Sequence, residues 1–286
     1  MKFRYLTSGI LLIGVLFYCS SGSRVKSKPI ASRSDTYVVK TDLQSYFKRC
    51  NVEGSIVIFD NQTHQWIVSD TIASKKEMLP ASTFKIMNLL IALETHTIAD
   101  ENETVKWVGK TDTVKYGYRP DIYHDMTVKE AFEVSAGWVF VELAKKIGKQ
   151  NYRKYLTLCR YGNLNLSEQG DDFWNFGAFG ISPVNQVQFI RQLYEDKLPF
   201  SRRNMEIVKR VMITEQKENY TIHAKTGRTQ ENGMNTGWWV GYVQKKEGVW
   251  FFATRLLKDR KLDNSTFGAS RKEITKSVLK DLKIIE

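Results

Sequence analysis

Pro80-Ala-Ser-Thr-Phe-Lys85-Ile-Met-Asn-Leu-Leu-Ile-Ala-Leu-Glu94 is the stretch from which the rest of the chain is read. Phe84, Ile86, Met87, Leu89, Leu90, Ile91 and Leu93 leave a helix made from it almost no face for water. The spacing therefore predicts a buried helix with a polar first turn. Positions i and i+3 share a helix face, which sets the Lys85 amine beside the Ser82 hydroxyl, with Pro80 marking the helix start. A nucleophile and its activator then meet where free N–H groups and the positive end of the helix dipole favour an oxyanion. Ser-x-x-Lys recurs at Ser23/Lys26, Ser45/Lys48 and Ser277/Lys280, so the bare pattern carries nothing. Those three lie in polar or amphipathic sequence. Lys85 alone is embedded in apolar sequence, where an ammonium is costly unless paired, neutralised or modified.

The 286 residues, 42% hydrophobic and 12% aromatic with five prolines, suit a globular chain of one large domain or two lobes sharing a core. The net charge of +12 becomes +10 once Lys2 and Arg4 of residues 1–22 are set aside. The remaining lysines are scattered instead of forming a stripe, which argues for solubility and against nucleic-acid binding. Lys2 and Arg4, the apolar run 9–17 and the small residues 20–23 read as a signal peptide over residues 1–22, followed by a polar tether at 23–40. The run is too short for a comfortable membrane span. A periplasmic or secreted protein is the first expectation. A lipid anchor on Cys19 is the second, set back by the bulky Phe17 and Tyr18. Cys50 and Cys159 either pair in an oxidising compartment or stand as two buried thiols, and the sequence leaves both open.

Working outward from the Ser82 helix, residues 55–60 and 65–68 are β-rich and flank an Asp60-Asn61 turn, so a hairpin precedes it. Residues 128–147, 151–159 and 184–194 read as helices, and another runs from Arg203 through Met212. Strands are expected at 220–225, 238–243 and 249–255, the last two joined by Lys245-Lys-Glu-Gly248 as antiparallel neighbours. Ile274, Val278 and Leu282 predict a terminal helix over 271–284. Strands at both ends with helices between them give an α+β fold. Residues 41–286 form a single domain, an antiparallel sheet lobe (about 41–95 and 200–286) interrupted by a helical lobe (about 96–199).

The second informative stretch is His223-Ala-Lys225-Thr226-Gly227-Arg228, at the end of a predicted strand. It presents a charge, a hydroxyl and, through the glycine, a closely approachable backbone to an anion. Paired with Ser-x-x-Lys, it is the motif combination of penicillin-binding proteins and serine β-lactamases. From about Phe47 to the C-terminus the chain resembles the class D β-lactamases. Pro80-Ala-Ser-Thr-Phe-Lys85 is similar to that family's nucleophile motif, Tyr161-Gly-Asn163 to its Tyr-Gly-Asn, Asp172-Phe-Trp174 to its tryptophan segment and Lys225-Thr-Gly227 to its third motif. Lys106-Trp-Val-Gly109 and Trp238-Trp-Val-Gly241 are similar as well.

The resemblance implies a penicillin-binding-protein-like transpeptidase fold and hydrolysis of β-lactams through an acyl-enzyme on Ser82. It implies N-carboxylation of Lys85 by carbon dioxide, an indole N–H from Trp174 to that carbamate, and a proton relay through Ser135. The N–H groups of Ser82 and Arg228 would form the oxyanion hole, while Tyr161 and Asn163 support the site. Lys225, Thr226, Gly227 and Arg271 would hold the substrate carboxylate, Arg271 as the residue preceding the terminal helix. Where the family has Ser-x-Val, this chain has Ser135-Ala136-Gly137, which implies a roomier, wetter site. Trp138, about 100° further round a helix, is expected to turn away from the space beside Gly137.

Tyr161-x-Asn163 also admits a class C arrangement with tyrosine as base, which the intact Ser-Thr-Phe-Lys and the Phe173-Trp174 segment oppose. A penicillin sensor that stays acylated is the other alternative, opposed by the single short apolar run. No metal is expected, because His64, His96, His124 and His223 are dispersed without metal-ligand spacing. A homodimer is left open.

Overall fold

The computed structural model describes residues 1–2 and 35–286. The apolar run, Cys19 and most of the expected tether lie outside the described residues. The end of that tether is not a tether. Residues Thr36–Val39 form strand β1, parallel to β3 (Gln65–Val68), with Tyr37 stacked on Trp66 at 5.6 Å. Four mostly exposed residues offer no alternating pattern to find, and the pairing partner lies some thirty residues on.

Every other pairing of the sheet is antiparallel. α1 (Gln44–Arg49) leads into β2 (Glu53–Asp60), which pairs with β3 as the expected hairpin and, on its other edge, with β9 (Val249–Asp259). The seven strands lie in the order β1-β3-β2-β9-β8-β7-β6, with β6 at Ile213–Gln216, β7 at Thr221–Glu231 and β8 at Met234–Gln244. β7 thus runs well past the expected end at 225. Polar residues carry it to a hairpin at Asn232 and Gly233, whose φ values of 49° and 77° suit a tight two-residue turn.

Alternation along each strand divides the core between two faces. Ile56 and Ile58 face α1 and α8 (Phe267–Asp281), with Phe47, Trp239, Phe252, Phe267 and Ile274. Val57 and Phe59 face the other side, where Trp238, Val240 and Phe251 meet the helices. α2 (Lys85–Glu94) belongs to that side, buried along its length and packed on α5 (Gly137–Cys159) and α7 (Arg202–Val211). α2, counted with the sheet lobe in the sequence, is thus packed among helices, as its apolar circumference requires. α6 (Pro183–Tyr194) lies across β2, β8 and β9. A two-stranded ribbon, β4 (Thr104–Val105) with β5 (Met126–Thr127), brackets the four-residue α3 (Thr113–Tyr116).

The helix expected over 128–147 is broken. α4 (Val128–Glu133) ends before Ser135, which takes φ 61°, Ala136 is extended, and α5 starts at Gly137 with a second break at Gly148. The terminal helix starts four residues early, at Phe267, because Phe267 and Ser270 extend the buried stripe of Ile274 and Val278; Arg271 sits within it, not before it. Cys50 and Cys159 are both free thiols.

The sheet also grips the approach to Ser82. On β9, Arg255 is 1% exposed and donates from Nη1 to the Lys76 carbonyl (2.5 Å) and from Nη2 to that of Ala73 (2.8 Å). Trp238, opposite it on β8, donates to the Leu79 carbonyl at 2.9 Å.

Candidate active site

Ser82 lies in a 3₁₀ turn, Ala81–Phe84, that runs directly into α2. Ala81 adopts φ 51°, a conformation costing an alanine roughly 1–2 kcal/mol, and it is held there by full burial and by donating its N–H to the Trp174 carbonyl at 2.9 Å. The expected i, i+3 meeting is present: Lys85 Nζ donates to Ser82 Oγ at 2.8 Å. Lys85 is 1% exposed, and among the described residues no carboxylate lies within ion-pair distance. Burial alone pushes its amine down to about 7.

β7 reaches this turn because residue 227 is glycine. A Cβ there would lie 2.8 Å from the Pro80 carbonyl oxygen and 3.1 Å from Thr83 Cγ2. Lys225, two residues earlier, is 4% exposed and donates to Ser135 Oγ at 3.1 Å and to the Thr226 carbonyl at 3.3 Å. Its amine is held well below the ordinary lysine range, first by burial and then by Lys85, Arg271 and Lys272. Two buried amines thus each hold one hydroxyl, Ser82 and Ser135. Arg271 donates to the Gly227 carbonyl at 2.6 Å and is lowered to about 10 by burial and by Arg228.

Ser82, Lys85, Ser135, Thr226, Gly227, Arg228 and Arg271 line one cavity of about 780 Å³. Gly137 lines it too, and a Cβ there would meet nothing within 4 Å, as the expected roomier site requires. Trp138 also lines it, contrary to the helical-wheel expectation, anchored by an indole N–H to the Ile122 carbonyl at 2.7 Å. Gly137 and Trp138 are the first two residues of α5, with no turn of helix before them, and both positions border the cavity despite the 100° step between them.

Trp174, Tyr161 and Asn163 are not among the lining residues. Trp174 is 1% exposed, stacks on Phe84 at 5.1 Å, and its indole N–H has no partner among the described residues. Tyr161 is fully buried, donates to Gln186 at 3.4 Å and has its phenol pushed up by burial. Gln186 in turn donates to Thr83 Oγ1, and the Tyr161 ring packs edge-on against Phe84 at 5.9 Å, so Tyr161 supports the nucleophile turn, and among the described residues its hydroxyl has no hydrogen bond to Ser82. Asn163 binds backbone of the neighbouring loop, accepting from Gly180 N and donating to the Ala178 carbonyl.

One feature of the site escapes the motifs. A strap of residues 111–123 lines the cavity, and its Tyr116 hydroxyl (2.5 Å) and Lys115 amine (3.2 Å) bind the Asp172 carboxylate, itself 2% exposed. The partners are 56 and 57 residues apart, and nothing local in the sequence joins them.

The penicillin-binding-protein transpeptidase domain matches residues 54–280, a span that contains every residue named above from Ser82 to Arg271. The β-lactamase OXA-10 of Pseudomonas aeruginosa is 38% identical over 237 residues, 82% of this chain and 86% of that protein. The chain belongs to the class D β-lactamases. Another member, OXA-48 of Klebsiella pneumoniae, is 36% identical over 84% of this chain and 88% of its own. Among solved class D structures, that from Sebaldella termitidis superposes with a TM-score of 0.83 at 38% identity, covering 88% of this chain and all of that one. Membership in class D, and not class C, agrees with the buried, indirect position of Tyr161.

Proposed function

We propose that the protein hydrolyses β-lactam antibiotics through an acyl-enzyme on Ser82, with Lys85 N-carboxylated as the general base, and so confers resistance. The observation that carries this reading is the 2.8 Å contact between Ser82 Oγ and a fully buried amine lowered to about 7. Carbamylation needs the neutral amine, which an ordinary lysine near 10.4 scarcely supplies at neutral pH. The residues present fit the group: among the described residues no carboxylate lies within ion-pair distance of the amine, and Trp174, stacked on the adjacent Phe84, carries a buried N–H without an acceptor. Carbon dioxide bound there supplies a carboxylate-like oxygen able to accept the Ser82 proton.

Ser82 Oγ attacks the lactam carbonyl as its proton leaves toward the Lys85 position, and the N–H groups of Ser82 and Arg228 receive the oxyanion. Ser135, held by Lys225 at 3.1 Å, passes a proton to the leaving lactam nitrogen. Lys225, Thr226 and Arg271 hold the substrate carboxylate, with Gly227 allowing the approach. Residues 1–22 would direct export, with Cys19 lipidation as the other possible outcome; the mass of the mature N-terminus separates the two.

The deciding experiment is steady-state hydrolysis of a penicillin by purified mature protein with intact-mass analysis. Many turnovers per Ser82 are expected. A stoichiometric adduct on Ser82 persisting for hours would replace this reading with that of a sensor.

A further inference from the structure

Six cationic side chains line the cavity, Lys85, Lys115, Arg119, Arg228, Arg260 and Arg271, and among the described residues no aspartate or glutamate does. Lys115 and Arg119 are neutralised by acids outside the lining, Asp172 at 3.2 Å and Asp121 at 2.7 Å. Lys85 sheds its charge near neutrality. Arg228, Arg260 and Arg271 remain, and among the described residues none has an acid within ion-pair distance.

These three do not share one spot. Arg271 is fixed at the Gly227 carbonyl, where β7 touches the nucleophile turn. Arg228 leans on the Phe267 ring and donates to Asn235. Arg260 is tied by its backbone N–H to the Gly233 carbonyl, at the hairpin closing the far end of β7. A strand advances about 3.3 Å per residue, which puts that hairpin more than about 10 Å beyond Gly227. A β-lactam has one ring carboxylate, and the Thr226–Arg271 end accounts for it. The far arginine is left facing a cleft of uniform sign, where field lines concentrate and an anion is favoured.

Resting on the reading of this cavity as a β-lactam site, we propose that it selects β-lactams whose acyl side chain carries a second carboxylate, with Arg260 as the specificity-determining residue. The ring carboxylate lies toward Arg271, and the acyl group follows β7 to the hairpin, where Arg260 meets its charge. Arg260 takes no part in acylation, and being exposed in the turn that follows β9 it is replaceable without loss of fold.

Benzylpenicillin and α-carboxybenzylpenicillin differ only by that carboxylate, so the ratio of their kcat/KM values reads the proposal directly. Arg260→Gln should lower the ratio (dianion over monoanion) about threefold to fivefold, the size of an exposed ion pair, and Arg260→Glu on the order of tenfold. Benzylpenicillin itself should change less than about twofold, and the dianion's advantage should shrink as salt screens the pair. The relative affinities of both penicillins for Ser82→Ala protein, with and without Arg260→Gln, give the same comparison without turnover. Loss of hydrolysis alone would then count against the catalytic reading and leave the charge preference measurable. A ratio unmoved by both Arg260 variants, in turnover and in binding, overturns the proposal.

Discussion

Trp174→Phe removes one N–H and little else of chemical consequence. A phenyl ring retains the face that stacks on Phe84 at 5.1 Å. Shrinking indole to phenyl in a close-packed core costs about 1–2 kcal/mol, while deleting a buried donor that has no partner returns about 1–3 kcal/mol. Without carbon dioxide the variant should therefore melt close to the wild type. In bicarbonate the two should part. A hydrogen bond to a charged acceptor contributes about 1.5–3 kcal/mol, so the bicarbonate needed for half-saturation should rise about tenfold to a hundredfold. Ligand-linked stabilisation follows RT ln(1 + [L]/Kd), so even a tenfold weaker site forfeits about 1.4 kcal/mol at a bicarbonate concentration that saturates both proteins. For a chain of this size that is roughly 3–5 °C in Tm. Calorimetric scans of both proteins in depleted and saturating bicarbonate measure it, and carbon-13 NMR with labelled bicarbonate reports the carbamate itself. Equal bicarbonate-linked shifts in the two proteins would refute the role given to the Trp174 N–H. So would a large loss of stability without bicarbonate, which would mean the donor already has an acceptor.

The Lys85 amine, lowered by burial to about 7, must be neutral to react, so in bicarbonate-limited buffer activity should rise from pH 6 to pH 8 and then level; initial rates across that range check this, and a flat profile would exclude Lys85 as the titrating group. Gly137→Val adds a side chain where a Cβ meets nothing within 4 Å, so the protein should fold normally, need less bicarbonate for half-maximal activity, and deacylate bulky acyl-enzymes more slowly; no change in either kinetic quantity would place residue 137 away from the reacting atoms. Asp172→Asn leaves Lys115 without its ion pair at 3.2 Å, and should cost about 1–3 kcal/mol while speeding hydrogen exchange of amides 112–119; unchanged exchange would mean the strap is held by other contacts.

Ser82 and Lys85 are legible in the sequence because the features that place them are local: an i, i+3 spacing and an uninterrupted apolar surround. The hairpin at 55–68 and the Lys245–Gly248 turn are legible for the same reason. What escapes depends on distance or on absence of pattern. β1 is stabilised by Trp66 and Asp35 and not by its own alternation. The extension of β7 is polar because one of its edges faces a cavity, although Asn232-Gly233 is a turn signature that would have located its end. Ser135 is recognised by motif, but neither its left-handed φ, which interrupts the predicted helix, nor its contact with Lys225, 90 residues on, is written in the local pattern. Tyr161 and Asn163 belong to a recognisable motif, yet their hydrogen bonds run to Gln186 and to loop backbone, which no spacing reveals.

The clamp of Arg255 and Trp238 on residues 73–79 bears on how the molecule behaves when its chemistry is switched off. Its acceptors are carbonyl oxygens, which bind no proton near neutrality, and the Arg255 guanidinium, though lowered by burial to about 10, stays charged throughout the range in which Lys85 titrates. On the proposed mechanism, acid or loss of carbon dioxide should therefore silence the amine while the scaffold that aims Ser82 keeps its shape. A protein silenced in this way should recover as fast as the amine deprotonates and captures carbon dioxide, with no refolding lag and no memory of the interruption.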